Sequence, residues 1–106
     1  MAFTVSSALL DTLVLSVVAE HDSYGYEINQ RLRECFGVSE STLYPVLRRL
    51  LKDDCLEAYD VEYSGRNRRY YRTTDRGIAQ LAQYREDWVD YRLRIEQILF
   101  GGDENE

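Results

Sequence analysis

Apolar residues recur at spacings of three and four along four stretches of this chain, which is the pattern of helices with one buried face. The first stretch predicts a helix from about Ser7 to Glu20. The second predicts a helix that Ser23 caps and that ends near Phe36. Asn29 is expected to face water. The side chains expected to point inward from the second helix are Tyr24, Ile28, Leu32, Cys35 and Phe36.

A third helix is predicted between Gly37 and Asp54, with either Ser39 or Ser41 as its cap. Pro45 has no N–H to donate, so the regular helix is expected to start near Ser41 or to bend at Pro45. Its inner face consists of Leu43, Val46, Leu47, Leu50 and Leu51. Its opposite face carries the polar, aromatic and cationic types that contact phosphates and base edges, namely Ser41, Tyr44, Pro45, Arg48, Arg49 and Lys52.

A change to alternating positions between Leu56 and Tyr63 predicts a strand. Residues 64–67 supply turn chemistry, and residues 68–73 are expected to return as the partner strand. One of Tyr70 and Tyr71 should pack under this hairpin while the other faces outward. The cations at or near the hairpin tip are Arg66, Arg68, Arg69 and Arg72. The order helix, helix, helix, hairpin predicts a mainly α fold with a small β-hairpin, a winged helix-turn-helix.

The fourth helix is expected to start after Thr74 and to continue to about Phe100, a length of about 40 Å. Apolar residues repeat along it at alternating spacings of three and four, as in helices that pack side by side. One protomer has too little else to cover such a seam, so a homodimer is predicted. Its interface is expected to use Leu10, Leu13, Leu81, Trp88, Tyr91, Ile95 and Ile98. The predicted units are a DNA-binding domain over residues 1–73, a dimerisation helix over 74–100 and a disordered acidic tail over 101–106.

Charge is distributed unevenly along the chain. The 106 residues carry a net charge of −6, which argues against diffuse binding to nucleic acid. Between residues 64 and 76, however, there are five arginines and only one acidic residue, Asp75. Any contact with double-stranded DNA must therefore be local, and dimerisation would suit a near-palindromic operator. The alternative is that these arginines form a solvated face.

Several other classes of protein are disfavoured by the sequence. The apolar N-terminus holds Asp11 and no lysine or arginine before Arg31, so it does not resemble a signal peptide, and no apolar run is long enough to span a membrane. A cytoplasmic location is expected. Cys35 and Cys55 are interpreted as small core residues. The single histidine, His21, has no nucleophile arranged around it, so neither catalysis, a metal nor a cofactor is expected.

Three motifs in unbroken order resemble the PadR family of bacterial transcriptional regulators: SYGYEI at residues 23–28, TLYP at 42–45, and GRNRRYYR followed by TTDRG from residue 65. The chain is similar to the short subfamily, in which one long C-terminal helix forms the dimer. The resemblance implies a homodimeric winged-helix repressor that responds to small aromatic or lipophilic compounds. It also implies that Ser41, Thr42, Tyr44 and Arg48 belong to the DNA-facing helix, and Gly65, Arg66, Arg68 and Arg69 to the wing.

Trp88, with Tyr84 and Tyr91 near it, has two interpretations. It could fill the dimer interface, as a tryptophan at seam spacing usually does. Alternatively, two copies could form a slot in which a planar effector stacks, and Asp87 beside it would favour a cationic guest. In multidrug-binding members of the family, a tryptophan at the corresponding place looks like the stacking platform.

A different function remains open at this point. The same architecture could serve as a protein-interaction adaptor dimer without sequence-specific DNA binding, which the acidic balance would suit. The hairpin tip discriminates between the two, because an adaptor has no need of Arg66, Arg68 and Arg69 together.

Overall fold

The structure, a computed structural model, describes residues 3–101. The elements in chain order are α1 (Ser7–Glu20), β1 (Ser23–Tyr24), α2 (Gly25–Phe36), α3 (Glu40–Lys52), β2 (Leu56–Tyr63), β3 (Arg66–Thr73) and α4 (Asp75–Leu99). This arrangement confirms the predicted mainly α fold with a small antiparallel hairpin and a long last helix. Of the predicted tail over residues 101–106, all but Gly101 lies outside the described residues.

The core is built around α1, which packs against α2, α3, α4 and β3. Its buried side chains include Val14 and Leu15, both fully enclosed, and they meet Ile28 of α2 and Leu43 of α3 in one cluster. A helix that must contact several neighbours needs apolar residues around most of its circumference, which explains the many leucines and valines of α1. The helix-turn-helix pair is thereby fixed to the rest of the domain.

The sheet has a third strand that was not predicted from the sequence. β1 pairs antiparallel with β3 in the register Ser23 to Tyr71 and Tyr24 to Tyr70, giving the order β1-β3-β2. The prediction that Ser23 caps α2 is therefore wrong, because Ser23 lies in this strand. Tyr24 occupies the cap position instead, and its N–H donates to a side-chain oxygen of Glu27 at 3.0 Å.

The hairpin turn is tighter than expected. Tyr63 faces Arg66 across a turn of only two residues, Ser64 and Gly65, so β3 starts two residues earlier than predicted. Both turn residues have positive φ, 52° and 78°, which matches the right-handed twist of the two strands. Glycine adopts this conformation without strain. The prediction that Tyr70 and Tyr71 face opposite sides is confirmed, because Tyr71 is buried and Tyr70 is only partly so.

Pro45 lies inside α3, which starts at Glu40 and has Ser39 as its cap. The Ser39 hydroxyl accepts from the N–H of Thr42 at 3.3 Å. Of the two caps that the sequence allowed, the structure has Ser39, and the helix starts one residue before Ser41. The helix tolerates Pro45 because the carbonyl that loses its partner belongs to Ser41, an exposed residue that water can reach.

Three side chains of α2 face other directions than predicted. Asn29 is 1% exposed, whereas Cys35 and Phe36, which were expected in the core, are exposed. Ile28 and Leu32 are buried as predicted. The helix thus turns its middle toward the core and extends its last turn beyond it.

α4 begins inside the core and ends outside it. The Thr74 hydroxyl caps the helix by accepting from the N–H of Gly77 at 3.0 Å, as predicted. Gly77 and Leu81 are buried among residues of the first 73, so the first turns of α4 belong to the same packed unit as the helices and sheet that precede them. Beyond Tyr84 every residue of the helix is exposed in the single protomer. This projecting half accounts for the molecule's long dimension of 63 Å.

Candidate nucleic-acid interface

One side of α3 is open to solvent along its whole length. Its inner residues Leu43, Val46 and Leu47 are at most 4% exposed, because they close the core against α1. Residues spaced by three and four share a helix face. The exposed face consists of Ser41, Tyr44, Pro45, Arg48 and Lys52. Five of the predicted DNA-contacting positions on this helix are therefore exposed: Ser41, Thr42, Tyr44, Arg48 and Lys52.

Hydroxyl groups cluster at the N-terminus of α3. The Ser39 oxygen lies 3.0 Å from the Ser41 hydroxyl and 3.1 Å from the Thr42 hydroxyl. All three residues are exposed. Hydroxyl donors at the positive end of a helix dipole suit a phosphate oxygen.

Arg49 is the exception among the predicted residues of α3. Its guanidinium donates to the carboxylate of Asp11 on α1, a residue only 9% exposed overall. Arg49 lies about 100° around the helix from Arg48, which turns it away from the exposed face. Its assignment to the DNA-facing set is therefore corrected: Arg49 joins α3 to α1.

The wing, defined as β2, β3 and the turn between them, presents its arginines in three ways. Arg66 and Arg69 are exposed and form no ion pair within the described part of the chain. Arg72 pairs with Glu57 at 2.8 Å and lies 3.8 Å from Asp22. Arg68 is half-buried, with its guanidinium carbon 4.0 Å from the ring centre of Tyr63. Among these four arginines, Arg66 and Arg69 are thus the free cations, Arg66 next to the turn and Arg69 opposite Asp60 within the hairpin.

A polar contact holds the base of the wing to the end of α1. The Tyr59 hydroxyl donates to the carboxylate of Asp22. This hydrogen bond is the main reason why the pKa of Tyr59 is raised, with some burial and the charge of Asp22 contributing. Tyr59 is therefore a protonated donor at neutral pH.

The N-terminus of α2 lies beside the exposed face of α3, a proximity that the sequence did not indicate. A methyl group on Gly25 would lie 3.8 Å from the ring and hydroxyl of Tyr44. Tyr26 is 57% exposed, and its ring stacks at 6.2 Å from that of Tyr24. Tyr24, Gly25 and Tyr26 belong to the SYGYEI motif. Their position beside the sheet follows from the pairing of Tyr24 with Tyr70, which the sequence did not indicate.

A second feature is a groove of about 370 Å³ between the start of α1 and the middle of α4. The four predicted ligand-binding residues, Tyr84, Asp87, Trp88 and Tyr91, all line it. Its other lining residues were not predicted from the sequence, and they are Ser6, Ala8, Leu9, Thr12 and Arg94. The Trp88 and Tyr91 rings lie 6.4 Å apart and tilted. Burial, and then the charge of Asp11, raises the pKa of Tyr84, so its hydroxyl stays protonated.

The residues predicted for a dimer interface fall into two groups. Leu10 and Leu81 are 4% and 2% exposed, so they pack within the protomer core, and Leu13 is partly buried against it. Trp88, Tyr91, Ile95 and Ile98 are exposed on the projecting half of α4. The apolar surface open to a partner therefore begins near Trp88.

Two further observations concern residues 3–101. They contain no group of three histidine, cysteine or acidic residues that could hold a metal ion. No helix within this range is long and apolar enough to cross a membrane.

Known proteins are similar to this chain in both sequence and fold. The model of the transcriptional regulator PadR-like family matches residues 14–83. A crystal structure of smu.1704 from Streptococcus mutans is 39% identical, covers 100% of both chains and superposes with a TM-score of 0.90. A PadR family transcription regulator from Clostridium difficile is 30% identical over 85% of this chain and 97% of its own, with a TM-score of 0.79.

A relative from Mycobacterium tuberculosis, the transcriptional regulator Rv3488, is 38% identical over 73 residues, which is 68% of each protein. The family match covers most of the chain and includes α2, α3 and the wing. The chain therefore belongs to the PadR-like family of transcriptional regulators, which are DNA-binding regulators and not enzymes.

Proposed function

We propose that this protein is a homodimeric transcriptional repressor that binds a near-palindromic operator in double-stranded DNA. The observation that carries the proposal is the exposed cationic face of α3, with Arg48 and Lys52, on the same domain as the free wing cations Arg66 and Arg69. In a chain of net charge −6, this local excess of positive charge suits a geometrically defined phosphate contact. A repressor of this kind acts in the cytoplasm.

The projecting half of α4 supports the dimer. Ile98 is 85% and Tyr91 55% exposed, an unusual exposure for large apolar side chains at seam spacing. A twofold partner that packs along this seam would cover them and would present two copies of α3 about 34 Å apart, the distance between successive major-groove faces.

Within this complex α3 and the wing are expected to have different tasks. Arg48→Ala should weaken binding to the operator much more than to scrambled DNA, because it removes a donor that faces base edges. Arg66→Ala should weaken binding to all sequences alike. It should also reduce the slope of log K against log salt by about one unit for each phosphate that the protein no longer neutralises, or about two for a dimer. Both are measured by fluorescence-anisotropy titration at several salt concentrations.

Arg85→Ala is the matched control, since Arg85 is an exposed arginine on α4 away from both surfaces. It should leave affinity, specificity and salt slope unchanged. An equal loss of specificity in the Arg48 and Arg66 variants would contradict the division of tasks.

The groove between α1 and α4 supports a further part of the proposal, that a small aromatic or lipophilic effector releases the repressor. Trp88 is 40% exposed there, so that a planar molecule could stack on it, and Asp87 would favour a cationic one. Because the groove touches both helices, an occupant that changes their angle would alter the half-site spacing. A coupling of about 1–3 kcal/mol would be sufficient.

Trp88 is the only tryptophan in the chain, so its fluorescence reports on this groove alone. Planar cations are expected to quench or shift its emission and to release the operator over the same concentration range. Asp87→Asn should weaken the binding of cations but not of phenolic acids, since it removes only the charge. Unchanged emission across planar cations and phenolic acids would instead assign Trp88 to packing in the dimer.

A further inference from the structure

Arg68 differs from the other wing arginines in what surrounds it. Its guanidinium carbon lies 4.0 Å from the ring centre of Tyr63 on one side and 4.5 Å from that of Tyr24 on the other. A planar cation between two aromatic rings is held by cation–π attraction and by stacking. The free cations Arg66 and Arg69 lack such contacts within the described residues.

The two rings belong to different parts of the fold. Tyr63 is the last residue of β2, next to the turn at the wing tip, whereas Tyr24 immediately precedes α2. Arg68 on β3 pairs with Val61 on β2. Tyr70, two residues after Arg68 on the same strand, pairs with Tyr24 on β1. All these side chains therefore share one face of the sheet. Arg68 bridges that face from the wing tip to the start of the helix-turn-helix.

The rest of this face continues the same contact. The ring of Tyr70 lies 5.4 Å from Tyr24 and 5.8 Å from Tyr59, so that three tyrosines cross the sheet from β1 to β2. Towards the wing tip β2 and β3 pair only with each other, because β1 contributes just two residues to the sheet. A two-stranded ribbon without further support twists and bends easily. Arg68 supplies the support next to the tip.

We propose that Arg68 is a positioning residue, which fixes the angle between the wing and the helix-turn-helix by lying between Tyr63 and Tyr24. The inference rests on the proposed DNA-binding function and refines it, because the sequence alone placed Arg68 in the wing together with Arg66 and Arg69, without a separate role. We call Tyr24, Arg68 and Tyr63 the latch. When these three side chains are in contact, the free cations of the wing are held at a fixed distance from α3. DNA then binds a wing that is already oriented, which reduces the entropy lost on binding.

The test separates the shape of Arg68 from its charge. Arg68→Lys keeps the positive charge but replaces the planar group by a compact ammonium that cannot stack on two rings. It should weaken operator binding about 10-fold, the effect expected when two exposed cation–π interactions are removed. Its salt slope should stay within about half a unit of the unaltered protein, since the charge is retained. Arg85→Lys, the matched control on α4 outside both DNA-contacting surfaces, should change affinity by less than about twofold.

Tyr63 provides the rescue. Tyr63→Leu should weaken binding as much as Arg68→Lys, whereas Tyr63→Phe keeps the ring and should restore affinity to within about twofold. A role confined to general stability would not depend on the ring in this way, because leucine is also apolar. Thermal unfolding of each variant verifies that the fold is intact.

Amide hydrogen exchange in the protein without DNA examines the latch independently of the proposed function. Arg68→Lys and Tyr63→Leu should speed exchange over residues 61–68 about 10-fold, and Arg85→Lys and Tyr63→Phe should not. Unaltered exchange and affinity in Arg68→Lys, together with a salt slope that falls by about two units in Arg68→Ala, would make Arg68 a phosphate contact and overturn the proposal. A lack of DNA preference in the unaltered protein would contradict the proposed function, while the exchange comparison would still decide the latch.

Discussion

Replacing both Ile95 and Ile98 by glutamate is expected to leave the protein monomeric and to weaken operator binding about 100-fold or more. Ile98 is 85% and Ile95 37% exposed in the protomer, so the protomer core does not depend on them. In the dimer four added carboxylates would lie in an apolar seam, where they cannot be solvated. Each monomer would then bind one half-site alone, without the high effective concentration that the second protomer provides.

Analytical ultracentrifugation measures the mass of the assembly, and fluorescence anisotropy measures its affinity for the operator. Circular dichroism verifies that the variant is folded. A control with the same number of added carboxylates is Ala79→Glu with Gln97→Glu, since both residues are exposed on α4 and lie off the seam. This control should remain a dimer and bind with only the modest loss that extra negative charge causes. A dimeric Ile95/Ile98 variant would place the interface elsewhere, and a monomeric one with full affinity would show that dimerisation is not needed for binding.

Replacing Gly77 by alanine is expected to destabilise the fold by about 1–3 kcal/mol, although alanine is the better helix former. A Cβ at this position would lie 2.1 Å from the backbone oxygen of Cys55 and 2.8 Å from a methyl carbon of Thr73. The Cys55 oxygen cannot move freely, because it accepts from the N–H of Thr74 at 3.1 Å. Relief of the clash must therefore shift the start of α4 away from β2.

Chemical denaturation at one fixed protomer concentration measures this effect, because the stability of a dimer depends on concentration. Ala79→Gly, at an exposed position of the same helix, isolates the propensity term and should cost about 1 kcal/mol. Helix propensity alone would make Gly77→Ala stabilising. The specific prediction is that Gly77→Ala nevertheless lowers the free energy of unfolding. Greater stability in Gly77→Ala would mean that α4 does not start in close contact with Cys55.

The long helices could be predicted because their signals are local. Ser39 and Thr74 each bond to a backbone N–H three residues away, and repeated apolar spacings define α1 and α4 within one or two residues. β1 could not be found in the same way, since two residues have no periodicity and Ser23 is equally suited to a cap. The burial of Asn29 and the exposure of Phe36 depend on which neighbouring elements cover each turn of α2. These neighbours cannot be predicted from the sequence of the helix itself.

The candidate site shows the same division between local and distant information. The helical period identified the exposed positions of α3, including Tyr44 and Arg48, correctly. The partners of two arginines lie far away in sequence, and these were missed. Asp11, which binds Arg49, is 38 residues away, and Tyr24 approaches Arg68 only because β1 joins the sheet. Charge density can therefore be predicted from sequence, whereas the pairing of each charge cannot.

The most direct test of the central claim, sequence-specific DNA binding by a dimer, is a fluorescence-anisotropy titration with a duplex selected from the host's genomic DNA and with its scrambled counterpart. We expect tight binding to the selected duplex only, with two protomers per site. With Lys52, Arg66 and Arg69 as phosphate contacts in each protomer, log K should fall with log salt at a slope of about −5. Equal, weak binding to both duplexes would contradict the claim and would favour a protein-interaction adaptor.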